Sequence, residues 1–91
     1  MIVRYFAQLR DYTGCEQEIV AECESVQVLL QKLAARYDEP FRSKVLTSDG
    51  AKLNPEIFIL VNGHHLRLLN GMETRLNESD EIALIPVIEA G

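Results

Sequence analysis

The apolar positions along this chain change period four times, and each change marks an element. Over residues 2–9, Val3, Tyr5 and Ala7 alternate with Arg4, Phe6 and Gln8. Period-two alternation among β-forming residues predicts a first strand. Asp11-Tyr12-Thr13-Gly14 is turn-like, and residues 16–22 predict a second strand joined to the first as a hairpin. The period then lengthens. After Ser25, a residue suited to a helix N-cap, come Val26, Leu29, Leu30, Leu33, Ala34 and Tyr37. Their offsets trace one face of a helix, while Gln27, Gln31, Lys32 and Arg36 fall largely on the other. The helix is expected to end before Pro40, because the proline ring pushes Glu39 out of the α region.

Residues 38–56 show no period, with Asp49-Gly50 and Asn54-Pro55 as turn signals. Ile57-Phe58-Ile59-Leu60-Val61 is apolar throughout, which predicts a strand buried on both faces and therefore central. Asn62-Gly63 is the strongest turn dipeptide in the chain. Residues 64–70 continue as a short strand or loop, Asn77-Glu78-Ser79-Asp80 turns again, and Glu81–Ile85 is the last strand. Two terminal strands side by side in a mixed sheet, with one main helix across it, give an α+β fold of β-grasp architecture. The 91 residues form a single domain, 1–91, carrying a C-terminal tail over 87–91.

Charge and composition narrow the function by exclusion. A net charge of −5 with no dense Lys/Arg cluster is the wrong balance for a nucleic-acid partner. The longest apolar run is too short to span a bilayer, and the residues after Met1 do not form a secretory signal, so the expected compartment is the cytoplasm and no membrane partner is expected. Cys15 and Cys23 lie roughly 26 Å apart if the strand between them is extended, so both are expected as free thiols. His64-His65 in an extended segment point to opposite faces, and no other ligand stands at suitable spacing, so no metal site is expected. Glu78, Asp80 and Glu81 suit a solvated turn better than a catalytic pair, and no nucleophile–base pattern or phosphate-binding glycine loop is present.

The end of the sequence carries the candidate chemistry. Pro86 lacks the N–H that a ladder needs, so pairing is expected to stop there. Val87, Ile88, Glu89, Ala90 and Gly91 then extend roughly 16 Å, enough to enter a partner's cleft. Gly91 has no Cβ to block approach to its carboxylate.

Phe6-Ala7-Gln8-Leu9-Arg10-Asp11 followed by Gly14, the Ser25-Val26 helix start, Ile59-Leu60-Val61-Asn62-Gly63, Thr74-Arg75-Leu76, Ser79-Asp80-Glu81-Ile82-Ala83 and Ile85-Pro86 occur in an order and spacing that cover nearly the whole chain. In these motifs the chain resembles the ubiquitin-like sulfur carriers of the MoaD/ThiS type, most of all the small subunit of molybdopterin synthase. The resemblance implies a non-catalytic carrier that binds no cofactor itself. It implies that an E1-like adenylyltransferase (MoeB/ThiF-type) uses ATP to activate the Gly91 carboxylate, which then accepts sulfur as a thiocarboxylate. It further implies that the tail enters the large subunit of molybdopterin synthase and donates sulfur to a pterin in molybdenum or tungsten cofactor biosynthesis. Two departures stand out. The family ends in Gly-Gly where this chain has Ala90-Gly91, and Pro86 is followed by Val87 where the family tends to have a second proline. A ubiquitin-like interaction module or protein modifier, and a carrier for thiamin synthesis or RNA thiolation, are alternative functions.

A carrier must be held by its body while its tail reacts. Ile85 and Pro86 at the exit of the last strand, Phe6 on the first strand, Leu66 after the turn, and Arg10 at the rim are the expected docking residues. For Phe6 two placements remain open at this stage: an exposed patch beside Ile85 and Leu66, or cover by the 38–56 segment.

Overall fold

A computed structural model describes residues 1–87. Five strands form one mixed sheet in the order β2-β1-β5-β3-β4. They are β1 (Ile2–Tyr5), β2 (Gln17–Ile19), β3 (Ile57–Val61), β4 (His64–His65) and β5 (Glu81–Pro86). β1 and β5 run parallel at the centre, from Ile2 opposite Glu81 to Tyr5 opposite Leu84. The expected pairing of the two terminal strands is therefore present. β3 pairs antiparallel with β5, and β2 antiparallel with β1.

The main helix, α2 (Val26–Tyr37), crosses one face of the sheet. Ser25 caps it, its Oγ accepting the Val28 N–H at 3.3 Å. Val26, Leu29, Leu30, Leu33 and Ala34 are buried, which is the face the period marked. They meet Val3 and Tyr5 of β1, Ile57, Ile59 and Val61 of β3, and Ile82 and Leu84 of β5 in one core. At one end of that core Tyr5, Tyr37 and Phe41 pack edge-on or tilted, with ring centroids 5.4–6.2 Å apart.

Several boundaries differ from the expectation. β1 stops at Tyr5 rather than residue 9, because Ala7 adopts φ 52° and the chain turns into a short helix, α1 (Leu9–Thr13). That turn aims Leu9 into the core, where it is fully buried. Gly14 closes α1 at φ 77°, its N–H donating to Arg10 O at 2.8 Å. β2 is shorter than 16–22, though Glu16 still pairs with Tyr5 through one backbone bond and Val20 with Met1 through two. Within the aperiodic 38–56 stretch lies a further helix, α3 (Phe41–Val45), which buries Phe41 and Val45. One i,i+4 pair is too little sequence to register as a period.

β3 lies off the centre of the sheet, and Phe58 is 41% exposed. The helix covers only one face, so Ile57, Ile59 and Val61 are buried while Phe58 and Leu60 face away from it. Pro86 does not stop the pairing. It is the last residue of β5, opposite Ile57, and the Val87 N–H donates to Glu56 O at 2.6 Å. The ladder bridges the missing N–H by one residue. The Asn62-Gly63 turn is as expected, with φ 51° and 83°, and glycine is the residue that takes the second angle without strain.

Candidate functional site

β5 is the axis of the site, because it is the central strand and the tail leaves from its end. Its helix-facing side chains, Ile82, Leu84 and Pro86, are buried, and its other side presents Glu81, Ala83 and Ile85. Register places the neighbours of that second row. Arg4, Ala83, Leu60 and His65 stand side by side across four strands, and Ile85 stands beside Phe58. This sheet face carries no helix. Phe58 and His65 pack edge-on at 5.2 Å. With Arg67 and the 78% exposed Leu68, they line a shallow groove of about 230 Å³.

Arg4 Nε meets Glu81 Oε1 at 2.8 Å, and both side chains are about half exposed. The pair borders the apolar strip of Leu60, Ile85 and Phe58. Exposed pairs of this kind add little stability, so its effect here is on polarity at the edge of the strip.

The expected docking residues separate into two groups. Ile85 lies half-buried on the open face. Phe6 is also half-buried, with the Arg10 guanidinium 5.4 Å above its ring. Arg10 is held there by an Nε bond to Tyr5 O at 3.0 Å and a 3.5 Å pair with Glu16. Phe6 therefore sits under a cation beside the central strand, and its N–H donates to Leu84 O at 3.2 Å. Leu66 and Pro86 are corrections: both are buried. Leu66 opens a 3₁₀ turn, Leu66–Leu68, that folds it under β3 into the core. Pro86 falls on the helix-facing side because strand alternation puts it in step with Ile82 and Leu84. Phe58, Leu60, His65 and Leu68 take the surface places that sequence reasoning gave to those two. In a run as uniformly apolar as Ile57–Val61, no polar residue marks the outward face, so Phe58 and Leu60 carried no signal.

Val87 is 37% exposed, and its N–H ties the exit of the tail to Glu56. The remaining tail residues, Ile88, Glu89, Ala90 and Gly91, lie outside the described residues. Asn62 has a part that its turn role did not reveal. Its Nδ2 donates to Asp80 Oδ1 at 2.9 Å, and its Oδ1 accepts the Glu81 N–H at 2.9 Å. Asp80 Oδ2 in turn accepts the Asn77 N–H at 2.9 Å. This network fixes where β5 begins, and so where it ends.

A half-buried acid sits on the other side of β1. Glu18, opposite Val3, accepts the Tyr5 hydroxyl at 2.6 Å, the Tyr37 hydroxyl, and Arg36 Nη1 at 3.0 Å. Burial and then the Glu18 carboxylate push the Tyr5 phenol far above its usual range. The same two causes push Tyr37 up to about 12. A carboxylate with three donors ties edge strand β2 to α2 and leaves no free acid for chemistry. The two cysteines are free, Cys15 half-buried and Cys23 buried. Of the two histidines, His64 is exposed and His65 uses Nδ1 to accept the Arg67 N–H at 2.9 Å. Among the described residues no group of three His, Cys, Asp or Glu could hold a metal ion, and no helix is long and apolar enough to cross a membrane.

Comparison with known proteins agrees with this geometry. The family model described as the ThiS family matches residues 3–91. A protein of Archaeoglobus fulgidus provisionally named a sulfur carrier is 35% identical over 74 residues, which is 81% of this chain and 82% of that protein. The solution structure of the small archaeal modifier protein 1 from Methanosarcina acetivorans superposes with a TM-score of 0.83 at 32% identity, covering 99% of this chain and 94% of that one. The crystal structure of the Amycolatopsis orientalis BexX/CysO complex contains a chain with the same fold, at a TM-score of 0.82 and 21% identity, covering 99% and 98%.

Proposed function

The chain belongs to the ThiS family of ubiquitin-like sulfur carriers, and from that premise we propose that Gly91 is the working residue, carrying sulfur as a C-terminal thiocarboxylate. The observation that carries the reading is the placement of β5. It is the central strand, paired with β1 over Glu81–Leu84 and with β3 over Ile82–Pro86 and tied by the Asn62–Asp80 network at its start, and the tail follows it directly in sequence. A firmly paired strand fixes the point from which the Val87-Ile88-Glu89-Ala90-Gly91 segment leaves the body. The family match running through Gly91 supports taking that residue as the reacting end.

The chemistry follows from the carboxylate. It is a poor electrophile until a leaving group is attached. In a partner E1-like adenylyltransferase, a carboxylate oxygen attacks the α-phosphorus of ATP and pyrophosphate leaves, giving an acyl-adenylate. Hydrosulfide then adds to the acyl carbon and AMP departs, giving the thiocarboxylate. If a protein persulfide is the donor, an acyl disulfide forms first, and a thiol reductant cleaves its S–S bond to release the same product. This chain's part is to present the tail and be gripped. The A. orientalis CysO crystallised in complex with BexX is in keeping with a fold that works through partners.

The acceptor of the sulfur is a finer proposal. The motif resemblance favours the large subunit of molybdopterin synthase, hence molybdenum or tungsten cofactor synthesis. The likeness to a small archaeal modifier protein keeps conjugation to a protein as a second reading. For either, the open sheet face serves as the grip, with Phe58 and Ile85 at its centre, Phe6 beside them and Arg10 at the rim. The test is on the tail. Deleting Gly91, or adding a residue after it, is expected to abolish sulfur transfer while thermal unfolding stays unchanged. Full transfer by an extended protein shown not to be trimmed would overturn the proposal.

A further inference from the structure

β2 is an outer strand of the sheet, and its backbone is open on one side. Met1 and Val20 exchange backbone bonds, and Tyr5 N–H donates to Glu16 O. In an antiparallel pair these inward-bonded positions alternate with outward ones. Gln17, Ile19 and Ala21 therefore direct their N–H and C=O groups away from β1, toward a free edge. Ile19 is 85% exposed, the most exposed large apolar side chain among the described residues. Beyond the edge lies a groove of about 550 Å³, floored by Ile19, Val20 and Ala21 on one side and by Lys32, Ala35 and Arg36 of α2 on the other.

The charges select what fits there. Lys32 makes no ion pair with any described residue, and Arg36 spends one nitrogen on Glu18 while its side chain remains 57% exposed. The α2 side of the groove is thus cationic, in a chain of net charge −5. The ends of the strand are acidic, with Glu16 and Glu22 exposed. Those acids argue against a second copy. Antiparallel pairing of two β2 strands about Ile19 puts Glu16 opposite Glu22 at both ends, and like charges directly opposed destabilise a strand pair.

We propose that the free edge of β2 is a second docking site, which takes an extended segment of a partner protein as an added strand. The segment alternates apolar residues, which cover Ile19, with acidic residues, which face Lys32 and Arg36. Main-chain bonds to Gln17, Ile19 and Ala21 supply the hold, and the two cations set the register and the preference for acid. β2 is separated from the tail-bearing strand by β1, so a partner here leaves the tail and the open sheet face free. The site rests on the fold and its charges and is independent of the thiocarboxylate chemistry.

The test uses a blocked synthetic peptide with valine and aspartate at alternating positions between glycines, and a second peptide with lysine in place of aspartate. Each is titrated into the ¹⁵N-labelled full chain. The expected result is saturable amide shifts confined to residues 17–21 and 32–36 with the acidic peptide, and none with the basic one. Lys32→Glu is expected to weaken binding about tenfold or more, as for loss of a partly desolvated charge contact. Ile19→Pro removes an outward N–H without touching the bonds to β1, so it is expected to abolish binding while circular dichroism stays native. Lys52→Glu, a charge reversal outside the groove, serves as the control and leaves the affinity unchanged. The proposal is overturned if the acidic peptide produces no shifts at millimolar concentration, if its shifts centre on Phe58 and Ile85, or if the basic peptide binds equally well. It is also overturned if the free chain self-associates through residues 17–21.

Discussion

Replacing Asn62 separates three jobs that one side chain performs. It takes φ 51° in the turn, donates to Asp80 and accepts from Glu81 N–H. The Asp80 bond is half-buried and contributes about 1 kcal/mol, and the more exposed Glu81 bond contributes about half of that. A left-handed alanine adds a backbone cost of about 1–2 kcal/mol. Asn62→Ala is therefore expected to lose about 3 kcal/mol. Asn62→Gly keeps the turn at ease but loses both bonds and gains unfolded-state entropy, for a loss of about 2 kcal/mol. At 4–8 °C for each kcal/mol in a domain of this size, midpoints fall by roughly 12–24 °C and 8–16 °C. Asn62→Asp keeps the acceptor but sets a second carboxylate against Asp80. The two like charges are expected to cost stability at neutral pH. Urea unfolding at neutral and mildly acidic pH measures all three variants. If glycine is as stable as the parent, the hydrogen bonds to β5 contribute nothing and the strut account is wrong.

Tyr5→Phe is expected to cost about 2 kcal/mol by urea unfolding, because it removes a bond to a charged acceptor from a fully buried ring. Tyr5 and Tyr37 keep their protons in the folded chain at a pH where the unfolded chain releases them, so stability is expected to fall as pH rises above roughly 10, through about 12 for Tyr37. Tyr37→Phe should flatten that fall, and an unchanged alkaline limb in the variant would contradict the assignment. Leu66→Ala empties a core site and is expected to cost about 3 kcal/mol in stability. Phe58→Ala should leave unfolding nearly unchanged but weaken binding to the activating enzyme by about thirtyfold, measured by calorimetry. Ala90→Gly is expected to keep or raise the transfer rate in a single-turnover assay, and a large fall would show partners adapted to the alanine methyl.

Legibility of the sequence depended on how many turns or pairs each element repeats. α2 repeats its apolar offset over three turns and has a serine cap, so both its start and its face were readable. The Asn62-Gly63 turn followed from strong local chemistry, and the side-by-side placement of the terminal strands from element order. α1 and α3 are five residues each, and one buried leucine or one Phe41–Val45 pair does not establish a period. The proposed docking residues were half readable for a different reason. Ile85 was placed by adjacency to the tail, but Leu66 and Pro86 are apolar for the core, and Phe58 is apolar for the surface. Hydrophobicity alone does not say which face a residue occupies. The lateral bonds of Asn62 and Glu18 join residues 13 to 19 positions apart, and no local pattern reports them.

The central claim is that the Gly91 carboxylate accepts sulfur. Intact-mass spectrometry of the full chain, incubated with an E1-like adenylyltransferase, ATP and hydrosulfide, tests it directly. The account predicts a product in which one oxygen is replaced by one sulfur, located by fragmentation to Gly91 and absent when ATP is withheld. An unchanged mass with an enzyme proven active on its own carrier, or sulfur found on Cys15 or Cys23, would contradict it.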